Sequence, residues 1–145
     1  MTSAETVATD LHQEDPAGRV AALFNLLDVR EVGERRFTGL RKHGGVGRVY
    51  GGQVVAQALA AASQTVEPDR LVHSLHAYFL RGGSEDHEIE FQVEADFDGG
   101  SFSNRRVIAL QQGKVIFNLA ASFHVTEPGH HHQDHMPDVA EPDDL

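Results

Sequence analysis

Apolar and polar positions along the chain change period from segment to segment. Asp15 and Pro16 read as an N-cap followed by proline at the first helical position. Val20, Leu23, Phe24 and Leu27 then recur at helical spacing and predict a short amphipathic helix over 16–28. Residues 34–40 read as a short strand, and Gly44-Gly45-Val46-Gly47 as a flexible loop. Gly51-Gly52 open a run, 53–65, that has no glycine, proline or charge and is dominated by alanine. Val54, Val55, Ala58, Leu59 and Ala62 form one stripe of that helix, and Gln53, Gln57, Ala60 and Gln64 a nearly opposite one. An uncharged helix of small side chains is expected to be buried nearly all round.

Four strand patterns follow. Residues 71–80 are apolar on both faces, as expected of a central strand covered on two sides. Over 88–97, Ile89, Phe91, Val93, Ala95 and Phe97 alternate with Glu88, Glu90, Gln92, Glu94 and Asp96. Asp98-Gly99-Gly100 is a hairpin signal, 102–111 the next strand, Gln112-Gly113 the next turn, and 115–125 the last strand. Short turns imply antiparallel neighbours. A single uncharged helix followed by consecutive hairpins predicts an α+β architecture, an antiparallel sheet of five or six strands wrapped around one long central helix, which is the hotdog fold. The chain thus divides into a disordered lead over 1–15, a domain over 16–126, and an acidic linker or tail over 127–145 carrying Pro128, Pro137 and Pro142.

Composition adjusts this picture at a few points. The net charge is −10, but residues 1–15 hold four acids and 127–145 six, with no Lys or Arg in either. The stretch between them carries twelve charges of each sign, so the acidity belongs to the tails. Within it, 30–48 holds Arg30, Arg35, Arg36, Arg41, Lys42 and Arg48 against Glu31 and Glu34. That excess can attract a phosphorylated ligand, although charge alone favours a solvated basic loop. With no cysteine there is neither a disulfide framework nor a thiolate nucleophile, which fits a reducing compartment. Residues 1–15 lack the basic and apolar regions of a signal peptide, and no apolar run reaches membrane-spanning length. A cytoplasmic location is therefore expected, with no nucleic-acid partner and no membrane span.

Candidate chemistry centres on Gly51, Gly52 and Gln53. Backbone N–H groups at a helix start bind anionic oxygen, and can polarise a carbonyl and stabilise its tetrahedral oxyanion. The same glycines also suit a tight turn into the helix, and position alone does not separate the two roles. His73 and His76 are expected on opposite faces of their strand, His73 with Leu71, Leu75, Ala77 and Phe79. A structural role is favoured for His76, while His73 stays open as a base or hydrogen-bond donor. Residues 51–66 contain no Asp or Glu. Gln53 and Gln57 can orient a water or carbonyl but cannot take its proton. No cofactor is expected: Gly44-Gly45-Val46-Gly47 lacks the Lys-Ser/Thr ending of a phosphate loop. No metal site is expected either, since His130, His131, His132 and His135 sit in a proline-containing tail without fixed geometry and promise only adventitious affinity.

Several long segments, in order, resemble one family. VYGGQVVAQAL over 49–59 is similar to the central-helix signature of the acyl-CoA thioesterase II family, and LVHSLHAYFLR over 71–81 to the strand that follows it. SFSNRRV over 101–107, GKVIF over 113–117 and ASF over 121–123 resemble its last two strands, and HQDHMP over 132–137 its interdomain linker. The resemblance runs from about Leu23 to the C-terminus. It implies a double hotdog, two such domains side by side in one chain, that hydrolyses fatty acyl-CoA to fatty acid and CoA. It implies that the catalytic Asp, Ser/Thr and Gln lie in the second hotdog, without counterparts in these 145 residues. His73 matches a histidine considered functional in the family, and Gly52 and Gln53 match pocket-lining positions at the helix start. Arg105 and Arg106 are candidates for CoA phosphates; as strand neighbours they point to opposite faces, so at most one faces the ligand. The alternative is a stand-alone hotdog that homodimerises and binds acyl-CoA without efficient turnover.

Overall fold

The computed structural model describes residues 15–42 and 44–144; the expected disordered lead, Asp15 apart, lies outside the described residues. Helix α1 spans Pro16–Leu27, with the Asp15 side chain accepting from the Gly18 amide. Strands β1 (Val29–Gly33) and β2 (Arg36–Gly39) form a hairpin, and helix α2 covers Gly51–Ser63. Strands β3 (Arg70–Phe79), β4 (Ile89–Asp98), β5 (Phe102–Gln111) and β6 (Lys114–Val125) complete the domain. One six-stranded sheet runs in the order β1-β2-β4-β5-β6-β3, every pairing antiparallel. It curls around α2 as the alternation of apolar residues requires. Its inner face supplies Phe37, Phe91, Phe117 and Phe123, all essentially buried against Val54, Ala58, Ala61 and Ala62 of the helix. No helix among the described residues is long and apolar enough to cross a membrane.

Three sequence expectations change. The strand expected over 34–40 is the second half of a hairpin: Arg35 takes the left-handed conformation (φ 52°) in a turn whose two central residues, Glu34 and Arg35, are neither Gly nor Asn. On α2 the buried face is Gln53, Val54, Gln57, Ala58, Ala61 and Ala62, while Val55 and Leu59 are only half-buried. Gln53 and Gln57 of the other stripe turn inward, where their Nε2 groups find carbonyl partners, while Gln64 stays exposed. Nε2 of Gln53 and of Gln57 donate to the Leu40 carbonyl at 3.1 and 2.9 Å, and Gln57 Nε2 also donates to the Leu26 carbonyl at 2.6 Å. Gly39 makes room for this arrangement, since a β-carbon there would sit 2.5 Å from Gln57 Oε1.

Most consequential is β3, which is the edge strand and not the central one. Leu71, Val72, Leu75, Tyr78, Phe79 and Leu80 are all exposed. An apolar strand calls for cover, but α2 packs chiefly on β5 and β6 and leaves most of β3 exposed.

Candidate functional site

The start of α2 opens into a cleft of about 400 Å³. Its floor is apolar, formed by Val54, Phe79, Ile116 and Phe117, and Gly51, Arg48 and Arg81 line it as well. A short antiparallel bridge builds one wall: Val49 N–H donates to the Gly83 carbonyl and Glu85 N–H to the Gly47 carbonyl, both at 3.0 Å. Gly83 permits that approach, because a β-carbon there would fall 2.6 Å from Val49 Cγ1. Gln111, nearly buried, clamps the following loop. Its Oε1 accepts from Ser84 N–H, and its Nε2 donates to the Ser84 and His87 carbonyls, each at 2.8 Å. Sequence reasoning passed over Gln111 and Arg81, whose roles depend on chain segments distant in sequence.

At the helix start, Tyr50 is the N-cap and provides no side-chain cap, and the first turn has no acidic residue. Among the described residues, the amides of Gly51 and Gly52 donate to no group, as expected of the first N–H groups of a helix. Gln53 differs: its N–H donates to the Tyr50 carbonyl at 3.1 Å and its side chain is held by Leu40. The Phe79 ring lies against Gly51, with a β-carbon there falling 3.0 Å from Cζ, and the Tyr50 ring lies against Gly52. The three sequence candidates therefore sit together, but only the two glycine amides are available to a ligand.

His73 is placed elsewhere. A bulge in β3 between Val72 and Ser74 shifts the alternation, so that His73 falls on the outer face together with His76, and the expectation of opposite faces is corrected. His73 Nε2 lies 2.8 Å from Ser122 Oγ, and the ring meets Phe102 and His124 edge-on. The sheet thus separates it from α2. A second bulge, in β4 between Ala95 and Phe97, turns Phe97 outward and brings Asp98 inward.

Arg105 points inward as alternation requires, but its guanidinium is fully engaged. Nε donates to Thr65 Oγ1, Nη1 to the Phe97 and Asn104 carbonyls, and Nη2 to the Thr65 carbonyl and Asp98. Five donors in five bonds leave none for a phosphate. Ser103 and Arg105 donate to Asp98 and hold its carboxyl below the usual aspartate range. Arg106 points outward, exposed and paired with Asp96 at 3.2 Å. Of the six bases over 30–48, Arg48 lines the cleft, Arg41 donates to the Asp86 carbonyl, and Arg30 lines a separate groove beside Glu88 and Glu90. Among the described residues no three His, Cys, Asp or Glu side chains gather as a metal site.

The fold and this helix start coincide with a known domain: the family model for the acyl-CoA thioesterase N-terminal domain matches residues 41–124. The chain belongs to that family. The match spans the cleft, α2 and strands β3 to β6 as far as His124. Acyl-CoA thioesterase 2 of Haemophilus influenzae is 43% identical over 123 residues, covering 85% of this chain and 43% of its own. Human acyl-coenzyme A thioesterase 8 is 41% identical over 134 residues, covering 90% of this chain and 42% of its own. Among solved structures, acyl-CoA thioesterase II TesB2 from Mycobacterium marinum superposes with a TM-score of 0.73 at 41% identity, over 83% of this chain and 45% of that one. The chain therefore spans less than half the length of these relatives.

Proposed function

We propose that this thioesterase N-terminal domain binds fatty acyl-CoA at the α2 cleft and acts in thioester hydrolysis by polarising the carbonyl, with the base supplied by a second hotdog beside it. The observation that carries the reading is the helix start: two unengaged glycine amides, with Gly51 lining an apolar-floored cleft, on a helix without a carboxylate. Hydrolysis adds water to the thioester carbonyl, passes through a tetrahedral oxyanion, and breaks the C–S bond as the leaving thiolate takes a proton. Gly51 and Gly52 amides suit the oxyanion, and attacking water still requires a proton acceptor. The exposed β3 edge, with Val72, Leu75 and Phe79 on its inner face, supplies the docking surface for the second hotdog. The test measures thiol release from palmitoyl-CoA by residues 1–145 alone and by the same domain joined to a second hotdog whose helix carries Asp. Turnover confined to the joined protein supports the reading, and absence of turnover in both overturns it. That same β3 edge also favours a second reading, a homodimer that binds acyl-CoA with little turnover; it would appear as a dimer with tight acyl-CoA binding and no thiol release.

A further inference from the structure

Arg48 and Arg81 reach the same cleft from different segments, one ahead of α2 and one after β3. Among the described residues neither has a carboxylate within 4 Å. Arg81 is tethered by one bond, Nη1 to the Val115 carbonyl at 2.6 Å, and its remaining N–H groups are unengaged. Arg48 lies across the turn at Gly82, where an added β-carbon would fall 3.2 Å from its Nε. Four of the other arginines are placed differently. Arg105 and Arg106 are paired with Asp98 and Asp96, Arg70 is held by the Phe102, Gly99 and Gly100 carbonyls and by Ser103, and Arg30 shares its groove with two glutamates.

Two cations on the rim of a cleft with an apolar floor repel each other, and the low-dielectric floor focuses their field into the cleft. An anion between them relieves that repulsion, and the guanidinium fork matches a carboxylate or a phosphate in bidentate fashion. The floor of Val54, Phe79, Ile116 and Phe117 offers nothing to a phosphate but suits the first carbons of an alkyl chain. We infer that this cleft is a fatty-carboxylate site: Arg48 and Arg81 hold the head of a free fatty acid while the apolar floor takes the start of its chain. The inference rests on the acyl-CoA reading in that the free acid is the product of that hydrolysis, and it makes the domain a point of product retention.

The site is tested without turnover, by calorimetric titration of residues 1–145 with octanoate, octanol and acetate. Octanoate is expected to bind at least about tenfold more tightly than octanol, as a charge-assisted pair requires, and to weaken as salt rises. Acetate, without the chain, is expected to bind far more weakly than octanoate. Arg48→Met and Arg81→Met, which keep apolar stems, should each cost octanoate about tenfold and leave octanol unchanged. Circular dichroism checks that the variants fold; the octanoate–octanol and salt comparisons on the unaltered chain stand without them. Equal binding of octanoate and octanol, no octanoate binding, or folded variants that keep full octanoate affinity would overturn the site. Arg-dependent octanoate binding in a protein whose joined form releases no thiol would leave the site standing and remove the hydrolase reading; thiol release without octanoate binding would do the reverse.

Discussion

Arg35 holds a backbone conformation that its side chain disfavours. Its φ of 52° places it in the left-handed region, where a β-carbon crowds the carbonyl. Arg35→Gly removes that crowding at the expense of a more flexible unfolded chain. The balance is expected to raise stability by about 0.5–1 kcal/mol, read as a higher Tm in thermal unfolding. Asp98 works in the opposite sense. Its carboxyl titrates lower in the folded protein because Ser103 and Arg105 donate to it. The unfolded state therefore takes up the proton first, and the stabilisation is complete above about pH 5, well above the ordinary aspartate pKa of about 3.9. It is lost as pH falls below that value into the lowered range of the folded state. Asp98→Asn should thus be less stable than the native chain at neutral pH, and chemical denaturation should show the gap narrowing below about pH 4.

At the scale of elements, α2 is fixed by polar contacts as much as by its alanines. Gln57 is fully buried, and its amide is held by two carbonyls, one from the end of α1 and one following β2. Gly39→Ala would force that amide aside, and losing its buried bonds should destabilise the domain by about 1–3 kcal/mol in urea denaturation. Gly83→Ala has a parallel effect on the cleft wall through Val49. Strand β3 is where the domain exposes apolar side chains along a sheet edge. An apolar edge strand with an unpaired backbone rim is a template for association. Sedimentation at micromolar concentration is expected to show self-association of residues 1–145, and Leu75→Lys, on the inner face of β3, should shift it toward monomer. A native chain that sediments as a monomer would count against β3 as a docking edge.

For the molecule as a whole, the distribution of chemistry predicts poor catalysis in isolation. The helix start offers amides for an oxyanion, α2 carries no acid, and His73 stands on the far side of the sheet beside Ser122. A positioned base contributes about 10²–10⁴-fold in rate. Purified residues 1–145 should therefore release thiol from palmitoyl-CoA at or near background, and His73→Ala should leave whatever rate remains unchanged. Robust turnover abolished by that substitution would show that a rearranged His73 reaches the substrate.

By itself the sequence determined most of what depends on local periodicity. The buried helix, the β4-β5-β6 meander, the Gln112-Gly113 turn and the glycine-rich helix start follow from alternation, turn chemistry and the lack of charge. Tertiary structure decided whatever depended on long-range register or on which surfaces find cover. A bulge has no reliable sequence mark, so the faces of His73 and Phe97 were settled only by pairing with β6 and β5. An apolar strand reads the same whether it is central or an edge awaiting a partner, so the position of β3 depended on sheet order. Arg105 and Arg81 differ little as letters. One is consumed by five internal bonds and the other is left facing a cleft, because the partners of an arginine are set by chain segments folded beside it and not by its neighbours in sequence.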